Sequence, residues 1–238
     1  MAKYLPDSIA PETFALHGAY DPSMSEGAVK PPLFATSTFV AKSAEELAGW
    51  FRQAYGMDDG HPSAPDGLIY SRLVNPNLQI FEERWSVYEG SQQSALCASG
   101  MAAIVTALLT LCRPGDTVLY SVPVYGGTDY FMEHLLPAFN IHTQSFPVTA
   151  SGEDVVRMIC ECQLYEKKVK VVYLESPANP TLLLADVRGI AQAVRALGAT
   201  RPLLVVDNTV LGPVFYRPME LGAEPRGPLG HQVDRRAQ

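Results

Sequence analysis

The sequence predicts an α/β fold with a mostly parallel sheet that helices cover on both faces. From residue 94 onward, short apolar runs typical of buried strands alternate with segments of helical periodicity. This alternation favours right-handed strand–helix–strand crossovers, which produce parallel strands. The last apolar run, Leu203 to Val206, is followed by Asp207. A carboxylate is therefore expected at the carboxyl edge of the sheet, where such folds bind their ligands.

The amino-terminal elements are predicted from proline, glycine and helix-capping residues more than from hydrophobic periodicity. The first 40 or so residues contain five prolines and predict an extended arm. Such an arm is ordered only if it packs on something else. Ser43 with Glu46 three positions later is a capping-box pattern, so a helix should run from there to about Tyr55. The Gly-, Asp- and Pro-rich stretch 56–67 predicts a loop, and apolar residues at three-to-four spacing predict a helix from Asn77.

The remaining elements alternate, and their boundaries lie where apolar character or periodicity changes. Pro114 and Gly115 end the first of the helices. We expect strands over 94–98, 117–122, 141–146, 170–174 and 203–207, and helices over 99–112, 128–136, 153–165 and 186–197.

Composition limits the class of protein. The 238 residues are 47% hydrophobic and 18% charged, which is ample for a buried core. The net charge of −7, without a local Lys/Arg stripe, argues against nucleic acid as the main partner. The 4 cysteines form no Cys-x-x-Cys pair and the 5 histidines no ligand spacing, so no metal site is expected. No signal-peptide core and no bilayer-length apolar stretch are visible, so we expect a cytoplasmic protein with no membrane partner.

Two motifs offer donors to an anion. Ser99, Gly100 and Met101 stand where an apolar segment turns into a helix, and free amides at a helix start suit a phosphate. The same pattern is also that of an ordinary tight turn. Tyr70 and Arg72 offer a hydroxyl donor and a guanidinium fork, or simply a solvated arginine beside a strand tyrosine.

Polar residues also follow three of the predicted strands. Tyr125 stands before Gly-Gly, where a phenol either stacks on a ligand ring or anchors a turn. Glu175 is either a site acid or a strand-terminal charge. Asp207 either acts in a site or caps the next turn.

Taken together, these segments resemble the Cys/Met-metabolism family of pyridoxal 5'-phosphate (PLP) enzymes. That family includes cystathionine synthases and lyases, methionine γ-lyase and O-acetylhomoserine sulfhydrylase. The resemblance implies PLP fold type I, like aspartate aminotransferase: an α/β/α architecture with a mostly parallel sheet, here incomplete. It covers nearly all of residues 15–224 and is carried by segments 70–72, 98–102, 124–128, 175–181 and 207–209.

The resemblance implies where the phosphate of PLP is bound. Gly100 and Met101 would hold it through backbone amides. Tyr70 and Arg72 would reach it from the neighbouring subunit, which implies a homo-oligomer, either a dimer or a tetramer, with shared sites.

The resemblance also implies contacts to the ring of PLP. Tyr125 would stack on the ring and shuttle a proton, and Asn179 would donate a hydrogen bond to the ring hydroxyl oxygen. Asp207 would keep the ring nitrogen protonated, so that the ring can accept carbanion electrons. Thr209 would support the phosphate or the ring.

The sequence departs from the family at the lysine that binds PLP covalently. In the family that lysine follows the strand aspartate in a Ser-Ala-Thr-Lys segment, whereas the 6 lysines here are Lys3, Lys30, Lys42, Lys167, Lys168 and Lys170. One permitted codon choice for residues 226–238, read one base later, encodes Val-Val-His-Ser-Ala-Thr-Lys-Trp-Ile-Gly-Gly-His. We therefore hypothesise a frameshift just before Arg226. The codons of the gene test it.

The predicted organisation follows from these points. Residues 1–65 form an amino-terminal arm and helix for subunit contacts, 66–225 form an incomplete PLP-binding domain, and 226–238 are a frameshifted tail; a carboxy-terminal small domain is absent. The function expected is trans-sulfuration of a small amino-acid substrate, by γ-elimination or γ-replacement, with this chain inactive because it lacks the lysine. The alternative is a non-catalytic relative that only binds PLP or an intact subunit.

Overall fold

The chain divides into two compact units. A computed structural model describes residues 9–57 and 67–223. The first unit ends at Leu96 and the second begins at Cys97. The predicted domain boundaries at residues 65 and 225 remain predictions. The predicted frameshifted tail, 226–238, and Lys3 lie outside the described residues.

The first unit consists of helices joined by irregular chain. Part of the predicted arm is helical, because a proline occupies the first helical positions and Asp21 accepts a hydrogen bond from the amide of Ser23 at 2.9 Å. An isolated antiparallel bridge joins Thr38 to Tyr70. The elements are α1 (Pro11–His17), a 3₁₀ turn (Pro22–Ser25), α2 (Ala44–Ala54) and α3 (Pro76–Glu89).

Side chains set the starts of α2 and α3. The Ser43 hydroxyl accepts from the amide of Glu46 at 3.1 Å, as predicted, but the Glu46 carboxylate reaches back to the amide of Lys42, so half of the capping box forms. Asn75 caps α3 by accepting from the amide of Asn77 at 2.9 Å.

The second unit contains a four-stranded sheet of order β2-β1-β3-β4 in which every neighbouring pair is parallel. The predicted α/β class with a mostly parallel sheet is thus confirmed. The strands are β1 (Asp116–Val122), β2 (His142–Pro147), β3 (Lys168–Glu175) and β4 (Leu203–Asp207). The α-helices are α4 (Gly100–Leu111), α5 (Gly126–Tyr130), α6 (Leu136–Ala138), α7 (Gly152–Leu164), α8 (Val187–Ala196), α9 (Gly212–Phe215) and α10 (Pro218–Leu221), and a π-helical turn (Phe131–Leu135) joins α5 to α6.

Apolar residues on both faces of the sheet form two core clusters. Leu119 and Val172 pack with residues of α7 and α8, whereas Val118 and Tyr173 pack with Leu108 of α4. Because successive side chains of a strand point to opposite faces, β1 and β3 each contribute residues to both core clusters. Among the described residues, no helix has the length and apolar character needed to cross a bilayer.

The predicted strand over 94–98 is wrong. The segment has no regular structure and pairs with no described strand. The amide of Leu96 donates instead to the Glu82 carboxylate at 2.8 Å, and the Leu96 side chain is 43% exposed. A strand needs a neighbour for its backbone groups, and a short apolar run does not reveal whether one exists.

The sheet places the candidate residues at one edge. β1, β3 and β4 are adjacent, and Glu175 and Asp207, the last residues of β3 and β4, are register partners. Lys168 begins β3, so the lysines at 167, 168 and 170 lie toward the amino end of the strand, with Lys168 roughly 23 Å from Glu175 at the ordinary strand rise.

Candidate functional site

The Asp207 carboxylate lies at the end of β4 and is half-buried. Its Oδ2 accepts from the Tyr173 hydroxyl at 3.0 Å, and its Oδ1 accepts from the amide of Thr209 at 3.0 Å and from the Thr209 hydroxyl. Asp207 therefore does cap the following turn, which was one of its two expected roles. A carboxylate accepts about four hydrogen bonds, so capacity for about one further donor remains.

Tyr173 supports this carboxylate from within the core. Its side chain is 1% exposed, and burial, followed by the charge of Asp207, raises the pKa of its hydroxyl well above the ordinary value. The phenol consequently stays protonated at neutral pH and acts as a donor toward Asp207. This orients one carboxylate oxygen at the sheet edge.

Glu175 is buried, with 3% of its surface exposed, and both of its oxygens are occupied. Oε2 accepts from the amide of Tyr125 at 2.9 Å, and Oε1 accepts from the amide of Asn179 at 2.8 Å. Burial raises the pKa of the Glu175 carboxyl, the two backbone hydrogen bonds oppose that rise, and the charge of Asp207 adds to it. Glu175 is thus a buried acceptor at the strand end and not a solvated charge.

Tyr125 follows β1 and precedes α5, and its side chain is 51% exposed. A Cβ at Gly127 would lie 2.8 Å from the Tyr125 ring and 3.1 Å from the Met101 sulfur, so a side chain there would have to displace the ring. The Thr128 hydroxyl also contacts the Met101 sulfur at 3.9 Å. These contacts bring Met101, at the start of α4, next to Tyr125.

The start of α4 has two amides available for a ligand. The Ser99 hydroxyl accepts from the amide of Ala102, and the Ser99 carbonyl accepts from the amide of Ala103, each at 3.0 Å. The amides of Gly100 and Met101 have no acceptor among the described residues. A Cβ at Gly100 would meet nothing within 4 Å, so open space lies beside this helix end.

The remaining candidates fall into two groups. The Asn179 side chain is half-buried and has no hydrogen-bond partner within residues 9–57 and 67–223. Tyr70 and Arg72 belong to the first unit, where the guanidinium carbon lies 5.6 Å from the Tyr70 ring centroid. Their role at a neighbouring subunit's phosphate remains a prediction.

The sequence reasoning missed Tyr173 and Ser121. Tyr173 lies inside an apolar strand, where an aromatic residue is ordinarily interpreted as part of the hydrophobic core. Ser121 is 0% exposed and accepts from the amide of Glu175 at 3.1 Å. Only their positions next to strand ends distinguish these residues, and that signal becomes specific once the strand order is known.

The family model that matches the chain is described as "Cys/Met metabolism PLP-dependent enzyme" and covers residues 12–224. The chain is 37% identical over 212 residues to L-methionine gamma-lyase of Pseudomonas putida, which covers 89% of this chain and 48% of that protein. It is 33% identical over 199 residues to O-succinylhomoserine sulfhydrylase of Pseudomonas aeruginosa, covering 84% and 44% of the two chains. The chain thus spans about half the length of the curated relatives it matches.

A solved structure agrees with these sequence matches. The fold superposes with a TM-score of 0.76 and 28% identity on a Campylobacter jejuni protein assigned as an O-acetylhomoserine (thiol)-lyase. The match covers 91% of this chain and 48% of that one, and that protein was solved with a pyridoxyl-lysine monophosphate.

Proposed function

The chain belongs to the Cys/Met metabolism family of PLP-dependent enzymes, and on that premise we propose that it serves trans-sulfuration. The substrates would be sulfur amino acids or activated homoserine, and the reaction a γ-elimination or a γ-replacement. The similarity to a methionine γ-lyase and to homoserine sulfhydrylases supports this substrate class. The observation that carries the proposal is the partly satisfied carboxylate of Asp207 at the end of β4. Its register partner, Glu175, holds the amide of Tyr125, and Gly127 lies close to both Tyr125 and Met101.

The residues at this edge fit PLP. Asp207 has acceptor capacity for a protonated ring nitrogen, and the Asn179 side-chain amide, which has no partner in the described part of the chain, suits the ring hydroxyl oxygen. The amides of Gly100 and Met101 lie at a helix start with no acceptor among the described residues, and a Cβ at Gly100 would meet open space, which suits the phosphate. Thr209 supports Asp207 through two hydrogen bonds. Bound there, PLP would supply an electron sink for charge that develops on substrate carbons.

Tyr125 is proposed to stack on the ring and to hold or move a proton. Its ring is half exposed and its backbone amide donates a hydrogen bond to Glu175. One face of the ring is therefore accessible to a ligand while the backbone that carries it is held in position. Among the described residues its hydroxyl has no hydrogen-bond partner, which leaves it available to a substrate proton.

Turnover by these 238 residues should be negligible. No lysine follows Asp207 in the sequence. Lys168 and Lys170 lie at the amino end of β3 and Lys167 directly precedes it, so all three are at the opposite end of the strand from Glu175. Without an amine at the ring, the chain lacks both the covalent link to PLP and the base that moves protons between substrate carbons. The frameshift hypothesis for residues 226–238 accounts for that lack.

We also propose a shared site in a dimer or tetramer and a cytoplasmic location. Arg72 and Tyr70 are exposed and lie against each other, so both are accessible to a neighbouring copy. All four cysteines are free thiols, as expected in a reducing compartment. Mass photometry of the chain with and without ligand measures the assembly state.

The test of the function uses 4-deoxypyridoxine 5'-phosphate, which has the ring and phosphate of PLP but no aldehyde, so it cannot react with lysines. We expect saturable one-to-one binding by fluorescence titration, weakened about tenfold or more in Asp207→Asn, which loses a charged hydrogen bond. Glu153→Gln, at an exposed acid of α7, is the matched control. Absence of binding by the unmodified chain would contradict the proposal.

The predicted inactivity has its own test. With PLP and L-methionine or O-acetylhomoserine, release of thiol or 2-oxo acid at ordinary enzyme rates would contradict it.

A further inference from the structure

We infer that Glu175 is a positioning residue that sets Tyr125 and Asn179 in place beside Asp207. The inference rests on the proposed function, since those three residues are the proposed ring contacts. Glu175 itself is not among those contacts. Its importance follows from its place in the sheet and from the partners of its two oxygens.

The sheet order puts Glu175 between the other segments. β3 lies between β1 and β4, so the end of β3 is flanked by the segment that leads to Tyr125 and by Asp207. Glu175 is the register partner of Asp207, and the amide of Ser176 donates to the Asp207 carbonyl at 3.1 Å. The backbone of β3 thus fixes Asp207, and the Glu175 side chain reaches the two loops.

The Glu175 carboxyl group links two loops that follow different strands, β1 and β3. Oε2 holds the amide of Tyr125, 50 residues away in sequence, and Oε1 holds the amide of Asn179. With both oxygens taken by backbone amides, Glu175 does not act on a reacting atom. It fixes the backbone from which the Tyr125 ring and the Asn179 amide project.

Neither glutamine nor aspartate, the two side chains most similar to glutamate, can make both of these hydrogen bonds. Glutamine offers one oxygen and one NH₂ group, so one of the two backbone donors would face another donor. Aspartate is shorter by one methylene, and its carboxylate cannot stay within hydrogen-bond distance of both amides. Glu175→Gln should therefore free one amide, and Glu175→Ala should free both.

The first readout is amide hydrogen exchange followed by NMR on the chain without ligand. In Glu175→Gln we expect one of the two amides, Tyr125 or Asn179, to exchange about tenfold faster or more, while the other stays protected. In Glu175→Ala both should accelerate. Glu153→Gln should change neither. Glu175→Gln keeps the side-chain volume, so it remains informative if Glu175→Ala fails to fold.

The second readout separates positioning from general loosening. Affinities for 4-deoxypyridoxine 5'-phosphate and for 4-deoxypyridoxine should both fall about tenfold in Glu175→Gln. Their ratio should not change, because the phosphate is proposed to lie on α4. Wild-type exchange rates in a folded Glu175→Gln, or altered exchange with unchanged ligand affinity, would overturn the inference. If the unmodified chain binds neither compound, the proposed function fails, and the exchange rates alone decide whether Glu175 holds the two loops.

Discussion

Gly100 and Gly152 occupy the same place in two helices: each is the first residue of its helix and follows a serine whose hydroxyl caps it. A methyl group at Gly152 would lie 2.6 Å from the carbonyl oxygen of Gly189 and 2.8 Å from the Cβ of Ala193, both in α8. A methyl group at Gly100 would meet no heavy atom within 4 Å. The same substitution should therefore have different effects at the two positions.

The expected magnitudes follow from those contacts. A 2.6 Å approach to a backbone oxygen is far closer than van der Waals contact, so α7 and α8 must move apart in Gly152→Ala. Overpacking of this kind costs about 1–3 kcal/mol, and each kcal/mol lowers Tm by roughly 2–4 °C in a chain of this size. Gly100→Ala restricts the unfolded chain without a clash, so stability should be unchanged or rise by about 0.5–1 kcal/mol.

Ligand binding should show the opposite order. The methyl group of Gly100→Ala enters the space proposed for the phosphate, so the ratio of affinities for 4-deoxypyridoxine 5'-phosphate and 4-deoxypyridoxine should fall about tenfold. In Gly152→Ala that ratio should stay at the wild-type value. Urea unfolding and fluorescence titration measure the two effects. A Gly152→Ala protein as stable as wild type would refute the packing argument, and a Gly100→Ala protein with an unchanged ratio would refute the phosphate site.

Three further predictions concern buried polar groups. Tyr173→Phe removes the donor to Asp207 and should lower the free energy of unfolding by about 1.5–3 kcal/mol in urea, whereas the exposed Tyr130→Phe should cost less than about 0.5 kcal/mol; equal losses would contradict the buried hydrogen bond. Because the folded-state pKa of Glu175 is raised above 4.5, its contribution to stability is present below pH 4.5 and is lost as pH rises through the folded pKa. The free energy of unfolding of wild type relative to Glu175→Gln should thus fall from pH 4.5 upward, and a rise would show the wrong sign. Burial raises the pKa of Cys112 to about 11, so at pH 8 only about one thiol in a thousand is ionised. Iodoacetamide followed by peptide mass spectrometry should label the exposed Cys160 long before Cys112, and comparable labelling would contradict the burial.

Local pattern was sufficient for most elements of the second unit. β4 has the predicted bounds, β1 differs by one residue at its start, and β2 is shifted by one residue at each end, because apolar runs bounded by turn residues define strands locally. The segment 94–98 has a similar composition but forms no strand, since no described strand pairs with it. Composition describes a strand's own side chains and says nothing about its partner.

The candidate site divides in the same way. The chain's own order of residues determined that Asp207 ends an apolar strand, that Gly100 begins a helix after a capping serine, and that Tyr125 precedes a turn. Only the tertiary structure decided that β3 lies between β1 and β4, and with it that Glu175 holds two loops and that Tyr173 orients the Asp207 carboxylate. The Tyr173–Asp207 and Glu175–Tyr125 contacts join residues 34 and 50 positions apart. Such pairings depend on the order in which strands assemble, which no local pattern encodes.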